Sequence, residues 1–170
     1  MLRSRGITEA AAADRFLQPK LTHLHDPSLI PDLDRAAARL LMAARGGERI
    51  AIYGDYDVDG ITASAILFHV LRAVAPAADV VTYVPHRIDE GYGLNDAAIR
   101  ELAEGGARVI VSVDCGVTAV GPARVARECG VDLIITDHHN PPATLAELPE
   151  AFAVVHPRRP DSKYPFGELC

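Results

Sequence analysis

Lysine and arginine are not in excess in this chain of 170 residues: 17 of them stand against 23 acids, for a formal charge of −6. Sequence-independent binding to nucleic acid relies on cations that displace counterions, so the charge balance lends no support to a simple basic binding module. Cysteine is scarce as well. Cys115, Cys129 and Cys170 are odd in number and lack C-x-x-C spacing, which excludes a disulfide framework and a zinc knuckle. No uncharged apolar run approaches the ~18 residues of a membrane span, so no transmembrane helix is expected. Met1-Leu2-Arg3-Ser4-Arg5 leads into an alanine-rich amphipathic segment with neither the apolar region nor the small-residue cleavage site of a signal peptide. The cytoplasm is the expected compartment. The length is enough to bury a real core and suggests one domain.

What is present is a pattern of acids. Ile50-Ala51-Ile52-Tyr53 is short, apolar and partly β-branched, follows Gly46-Gly47, and reads as a strand. Gly54-Asp55-Tyr56-Asp57-Val58-Asp59-Gly60 then sets carboxylates at alternate positions, and Ile61 to Phe68 reads as a buried helix. Like charges a few ångströms apart repel and resist desolvation, so three acids between a strand and a helix call for a divalent cation. One aspartate there would be a helix cap; three in alternation before a glycine exceed what capping requires. The D-x-D-x-D-G opening of a calcium EF-hand needs a glutamate six residues after the glycine, where this chain has Ile66, and it follows a helix instead of a strand. The D-x-D-x-T/V pattern of aspartyl-phosphate phosphatases fails too, because its third slot falls on Asp59 or Ile61. A metal site is the expectation. With Asp55, Asp57, Asp59, Asp114 and Asp137 set aside as site residues, the remaining charge is close to neutral, so the acidic total does not exclude an anionic substrate.

Residues 7 to 17 read as a short helix with Thr8 as N-cap, stopped by Pro19. His23 and His25 fall in a loop with Asp26, where no paired acids back them as metal ligands, and surface residues are the simpler reading. Pro31 suits a first helical turn, and Leu33, Ala37, Leu40, Leu41 and Ala44 keep helical spacing up to Gly46-Gly47. Beyond Pro76, residues 80 to 85 read as a strand that delivers His86-Arg87-Ile88-Asp89-Glu90-Gly91-Tyr92-Gly93-Leu94-Asn95. The glycines around Tyr92 predict a sharp bend with backbone close to a ligand, and Asn95 caps a helix that Gly105-Gly106 ends. Arg87 has the fork to take a phosphate in two hydrogen bonds; a surface pair with Asp89 or Glu90 is the competing reading. A third strand, 108 to 113, ends in Asp114-Cys115-Gly116. A helix from Thr118 to Cys129 stops at Gly130, and a fourth strand, 131 to 136, delivers Asp137-His138-His139-Asn140. A weak helix near Leu145 and a short strand, 152 to 155, precede His156-Pro157.

Strand and helix alternate and the strands are nearly continuous in apolar residues. This predicts an α/β fold: a mostly parallel sheet with helices on both faces, in Rossmann-like layers. Right-handed crossovers place every strand's C-terminal end on one side, where ligands of open α/β sheets gather. Three strands therefore send Asp55, Asp57, Asp59, Asp114, Asp137, His138 and His139 to one rim. The stretches 54–62, 90–95 and 114–116, then Thr136-Asp137-His138-His139, resemble the DHH phosphoesterase superfamily, and within it the RecJ-type single-strand-specific exonucleases. Arg5-Gly6-Ile7-Thr8 and Tyr164-Pro165-Phe166 are similar to that group as well.

The resemblance implies a hydrolase with two metal ions, manganese or magnesium. It would make Asp55, Asp57, Asp59, Asp114 and His138 metal ligands, with Asp55 either ligand or outer support and Asp114 bridging the ions. Asp114, His138 and His139 would be catalytic, Asp137 would orient its neighbours, and Arg87 and His139 would meet the substrate phosphate. Single-stranded DNA would be the partner, degraded from its 5′ end to mononucleotides in DNA repair and recombination, with no membrane involved. The alternatives are a phosphoesterase acting on short oligonucleotides, nucleotide phosphates or pyrophosphate, and a scaffold that keeps the fold without catalysis. Residues 1–47 would be a helical leader and 48–170 the DHH catalytic domain, ending before a fourth motif and a second domain. His156, Gly167 and Asn140 stand where the resemblance leads one to expect asparagine, lysine and an acid. The chain thus reads as the N-terminal part of a longer enzyme, expected to bind metal weakly and to cleave little by itself.

Overall fold

A computed structural model describes residues 2–86, 88–89, 91–167 and 169. Arg87, proposed above for the phosphate, lies outside the described residues, as do Glu90 and Cys170. Ten regular elements follow in order: α1 (Ala10–Leu17), α2 (Leu33–Gly46), β1 (Arg49–Tyr53), α3 (Val58–Val74), β2 (Val80–Tyr83), α4 (Asp96–Glu104), β3 (Ala107–Val113), α5 (Val120–Glu128), β4 (Asp132–Thr136) and β5 (Ala153–Val155). The region near Leu145 forms only a single 3-10 turn, Leu145–Glu147. No helix among the described residues is long and apolar enough to cross a membrane.

The five strands form one parallel sheet in the order β2-β1-β3-β4-β5. Strands β1, β3 and β4 are apolar on both sides because each face is covered, whereas the edge strand β2 is half-buried and leaves Thr82 exposed. Ile50, Ile52, Val109, Val111 and Ile134 pack with Leu40, Ala43 and Ala44 of α2 and Leu71 of α3. Ala51, Tyr53, Ile110, Leu133 and Ile135 pack with Ile99 of α4 and Val125 and Ala126 of α5. The α/β fold with helices on both faces is thus the observed one, and residues before 47 share its core. The register pairs Tyr53 with Tyr83 and Ser112, and Thr136 with Val113 and Val155. All five C-terminal ends therefore lie on one edge.

Several local expectations are corrected. Helix α1 starts at Ala10 with Glu9, not Thr8, at its N-cap, and the Glu9 side chain makes no capping hydrogen bond. Pro31 precedes α2 instead of opening it; Asp32 is the N-cap residue, in a left-handed conformation with φ 61°. The buried stripe of α2 runs through Ala36, Arg39, Leu40, Ala43 and Ala44, while Ala37 faces solvent. Arg39 is admitted to that stripe by three hydrogen bonds, one to Asp132 (2.6 Å) and two to Glu48 (2.6 and 3.2 Å). Helix α3 is not buried all round. Gly60 and Ser64 are buried against the Gly54-Asp55 turn and Leu71 in the core, whereas Val58, Ile61, Ile66, Val70 and Val74 are exposed.

The corrected face of α2 gives a direct test. Ala37→Glu is expected to change stability by no more than about 0.5 kcal/mol, and Ala43→Glu, which would bury an unpaired charge, to cost about 4 kcal/mol or prevent folding. Urea unfolding of the two variants measures the difference.

Candidate metal centre

Strands β1, β3 and β4 are neighbours, so their ends span only about 10 Å. The order 2-1-3-4-5 reverses direction between β1 and β3, and a crevice opens at such a switch point because the following helices leave on opposite faces. Asp55 and Asp57 follow β1, Asp114 follows β3, and Asp137, His138 and His139 follow β4. Two groups of donor atoms result, each with its members within 4.8 Å of one another: Asp55, Asp57 and Asp114, and Asp114, His138 and His139. Asp114 belongs to both. Neither His23 nor His25 joins any such group among the described residues.

Each acid is held in its own way. Asp57 is the N-cap of α3, its Oδ1 accepting from Asp59 N and Gly60 N at 3.0 Å each. The simple capping role and membership of the acidic group therefore fall on one residue. These hydrogen bonds, Gly60's foremost, hold its carboxyl below the usual range. Asp55 is buried and accepts from Tyr56 N at 2.7 Å. Asp59 joins neither group; it lines a neighbouring recess with Asp114, Asp137 and His138. Helix α3 approaches so closely that a Cβ on Gly60 would stand 2.6 Å from Asp55 N and O, which is why glycine ends the acidic run.

Asp114 takes a left-handed conformation, φ 64°, which an aspartate tolerates better than most residues and which ends β3 abruptly. Its Oδ1 meets His138 Nε2 at 2.8 Å, while its Oδ2 is buried with no hydrogen-bond donor among the described residues. Burial, and then the charge of Asp57, push its carboxyl up despite His138. Asp137 is the opposite case. It accepts from Val117 N (2.8 Å), His138 N (2.7 Å), His139 N (3.0 Å) and His139 Nδ1 (2.8 Å). Burial raises its carboxyl, but the backbone bonds from His139 and Val117 and the His139 ring outweigh burial and leave it below the usual range. For His139, burial lowers the ring and the bond to Asp137 more than reverses this, so it protonates more readily than a free histidine.

Sequence reasoning passed over three neighbours. Tyr92 lies between Gly91 (φ 78°) and Gly93 (φ 82°), the bend anticipated for this loop, and its hydroxyl is 3.3 Å from His139 Nδ1 and 3.4 Å from the Asp114 carbonyl oxygen. Partial burial and the surrounding acids, Asp137 first, keep that phenol protonated. The paired glycines were the one available signal for it. His156 and Arg158, on the segment after β5, contact the backbone of His138 and His139 and carry no motif of their own. Cys115 is fully buried, and that burial first, then the charges of Asp137, Asp55 and Asp114, keep its thiol protonated and inert.

The sequence profile of the DHH family, N-terminal domain, matches residues 49–167. The chain belongs to the DHH family. It is 43% identical over 170 residues to the single-stranded-DNA-specific exonuclease RecJ of Bacillus subtilis (strain 168), covering 100% of this chain and 21% of that protein. It is 43% identical over 143 residues to the exonuclease of the same name from Thermus thermophilus, covering 81% and 20%. The crystal structure of RecJ in complex with Mn2+ from Thermus thermophilus superimposes with a TM-score of 0.71 at 36% identity, over 95% of this chain and 21% of that one. The chain thus spans about a fifth of the length of these DHH relatives.

Two expected outcomes follow from the way the acids are held. Gly60→Ala forces the start of α3 off Asp55 and is expected to cost about 1–3 kcal/mol in urea unfolding. Asp137 has a folded-state pKa below its unfolded value, so its contribution is present above about pH 4 and lost as pH falls through the folded value. Asp137→Asn is therefore expected to lower stability by about 2 kcal/mol at pH 7 and by progressively less below pH 4, measured by urea melts across that range.

Proposed function

We propose that this chain carries the metal-binding half of a phosphodiesterase site, and that its substrate is single-stranded DNA. One observation carries the reading: Asp114 is shared by an all-carboxylate group and a carboxylate–imidazole group, and its buried Oδ2 has no donor among the described residues. An orphaned anionic oxygen among acids fits a cation far better than any other partner. Asp55, Asp57 and Asp114 would hold one ion, and Asp114 and His138 a second, with Asp59 at hand in the adjoining recess. The mixed oxygen and nitrogen donors suit manganese, and magnesium where it is the more available ion. Bound in that pair, divalent ions supply positive charge that stabilises both attacking and leaving oxygens of a phosphodiester.

The chain's own residues do the rest. Asp137 fixes the His139 ring through Nδ1, and its push on that ring favours a cation whose Nε2, 3.4 Å from the Tyr92 hydroxyl, is able to donate to a phosphate oxygen. Tyr92, held protonated beside His139, adds a neutral donor. Arg87 is kept as a phosphate contact on the strength of its guanidinium chemistry. The names of the relatives, single-stranded-DNA-specific exonucleases, support the choice of substrate; a 5′-to-3′ direction, within repair and recombination in the cytoplasm, completes the reading. Residues 48–170 then form the catalytic unit, with 1–47 as the helical leader.

Calorimetric titration of Mn2+ is expected to show binding that Asp114→Ala weakens at least tenfold, ~1.4 kcal/mol. Equal heats would overturn the reading and favour a scaffold. With Mn2+ present, any mononucleotide released is expected to come from the 5′ end of a long single strand; release from dinucleotides alone would favour the oligonucleotide phosphoesterase.

A further inference from the structure

His156 belongs to neither group of acids and imidazoles, yet it is fully buried just past β5. Its Nε2 is 2.7 Å from the His139 carbonyl oxygen, and its Nδ1 is 3.0 Å from the Arg158 backbone nitrogen. A carbonyl only accepts and a backbone amide only donates. The ring must therefore carry its proton on Nε2 and offer the lone pair of Nδ1, with both nitrogens engaged. Arg158 completes the arrangement. Its Nη2 donates to the His138 carbonyl at 2.6 Å and to the His139 carbonyl at 3.1 Å. Its stem passes Gly167, where a Cβ would meet Arg158 Cγ at 3.2 Å. Both carbonyls of the two histidines that reach Asp114 and Asp137 are thus held by two residues from the far edge of the sheet.

We propose that His156 is a positioning residue: as the neutral Nε2–H tautomer it staples the His139 carbonyl to the Arg158 amide, and the two side chains together fix the backbone from which His138 and His139 reach the acids. Its consequence for metal binding rests on the reading of that cluster as a metal centre; the staple itself does not. Rotation of either peptide would swing an imidazole away from its carboxylate, and outer-shell partners that prevent such motion typically govern metal affinity by 10- to 100-fold.

Two substitutions separate the staple from bulk. Glutamine places an amide N–H where Nε2–H stands, whereas leucine fills the space with neither donor nor acceptor. Long-range proton–nitrogen spectra of the metal-free chain are expected to show His156 protonated on Nε2 at pH 7. The His138 and His139 ring signals are expected to stay in place in His156→Gln and to move in His156→Leu. Mn2+ affinity is expected within about threefold of wild type for glutamine and at least tenfold weaker for leucine. A His156 ring protonated on Nδ1, or a leucine variant with wild-type ring signals and affinity, would overturn the proposal. Should the leucine variant not fold, glutamine decides, and displaced His138 and His139 signals in that variant overturn the staple. Should the wild type bind no Mn2+, the metal reading falls, and the ring signals alone still judge His156.

Discussion

Repulsion between carboxylates is the constraint around which this rim is built. Asp55 and Asp114 are both buried and their donor atoms lie within 4.8 Å. Two charges at that distance repel by about 3.5 kcal/mol at an effective dielectric of 20, a large share of the 5–15 kcal/mol that holds a domain together. Asp57 adds a third charge beside them. Such a group persists only if something offsets it. Backbone N–H groups do so for Asp57 and Asp137, but nothing among the described residues does so for the second oxygen of Asp114, whose carboxyl is pushed toward its protonated form. The imbalance is concentrated on the one acid common to both groups, where a cation relieves most.

The fold supplies this arrangement cheaply in chain terms. A parallel sheet brings distant segments to one edge without special loops, and β3, flanked by β1 and β4, puts Asp114 between the other two sources. Each strand end then turns at once: Asp114 by its left-handed backbone, Asp55 by the close approach of α3 at Gly60, and Asp137 by accepting the N–H groups of the two residues that follow it. Short strand-to-site distances leave the carboxylates little room to move apart.

The sheet, its parallel sense and the shared rim were legible because near-continuous apolar strands and right-handed crossovers leave few alternatives. The helical faces were less so. In an alanine-rich helix such as α2, Ala36, Ala37, Ala43 and Ala44 look alike in sequence, and the buried side is chosen by what faces it across the core. The outer face of α3 was misread for a related reason: its apolar residues run almost all round, and periodicity cannot say which of them the sheet covers. Tyr92, His156 and Arg158 escaped because each acts on a backbone or ring 17 to 47 residues away, and such contacts have no period or spacing to betray them.

The residues before 47 also bear on the rim, by a route that starts with a missing cap. Asp32 stands at the N-cap of α2 but makes no side-chain bond there. Its Oδ2 instead accepts from Val154 N at 3.0 Å and from Arg159 Nη1 at 2.7 Å, while Arg159 also holds Asp161. The left-handed backbone of Asp32 is the conformational cost of turning its carboxylate across to β5. That strand is only three residues long, at the sheet's edge, and has one neighbour to hold it. Arg159 and Asp32 clamp it from outside the sheet, and the next residues along, His156 and Arg158, hold the two histidine carbonyls. The segment that carries the contacts to the His138 and His139 carbonyls is thereby tied to an aspartate more than a hundred positions earlier, which links the N-terminal segment to the geometry of the rim and not only to the bulk of the core.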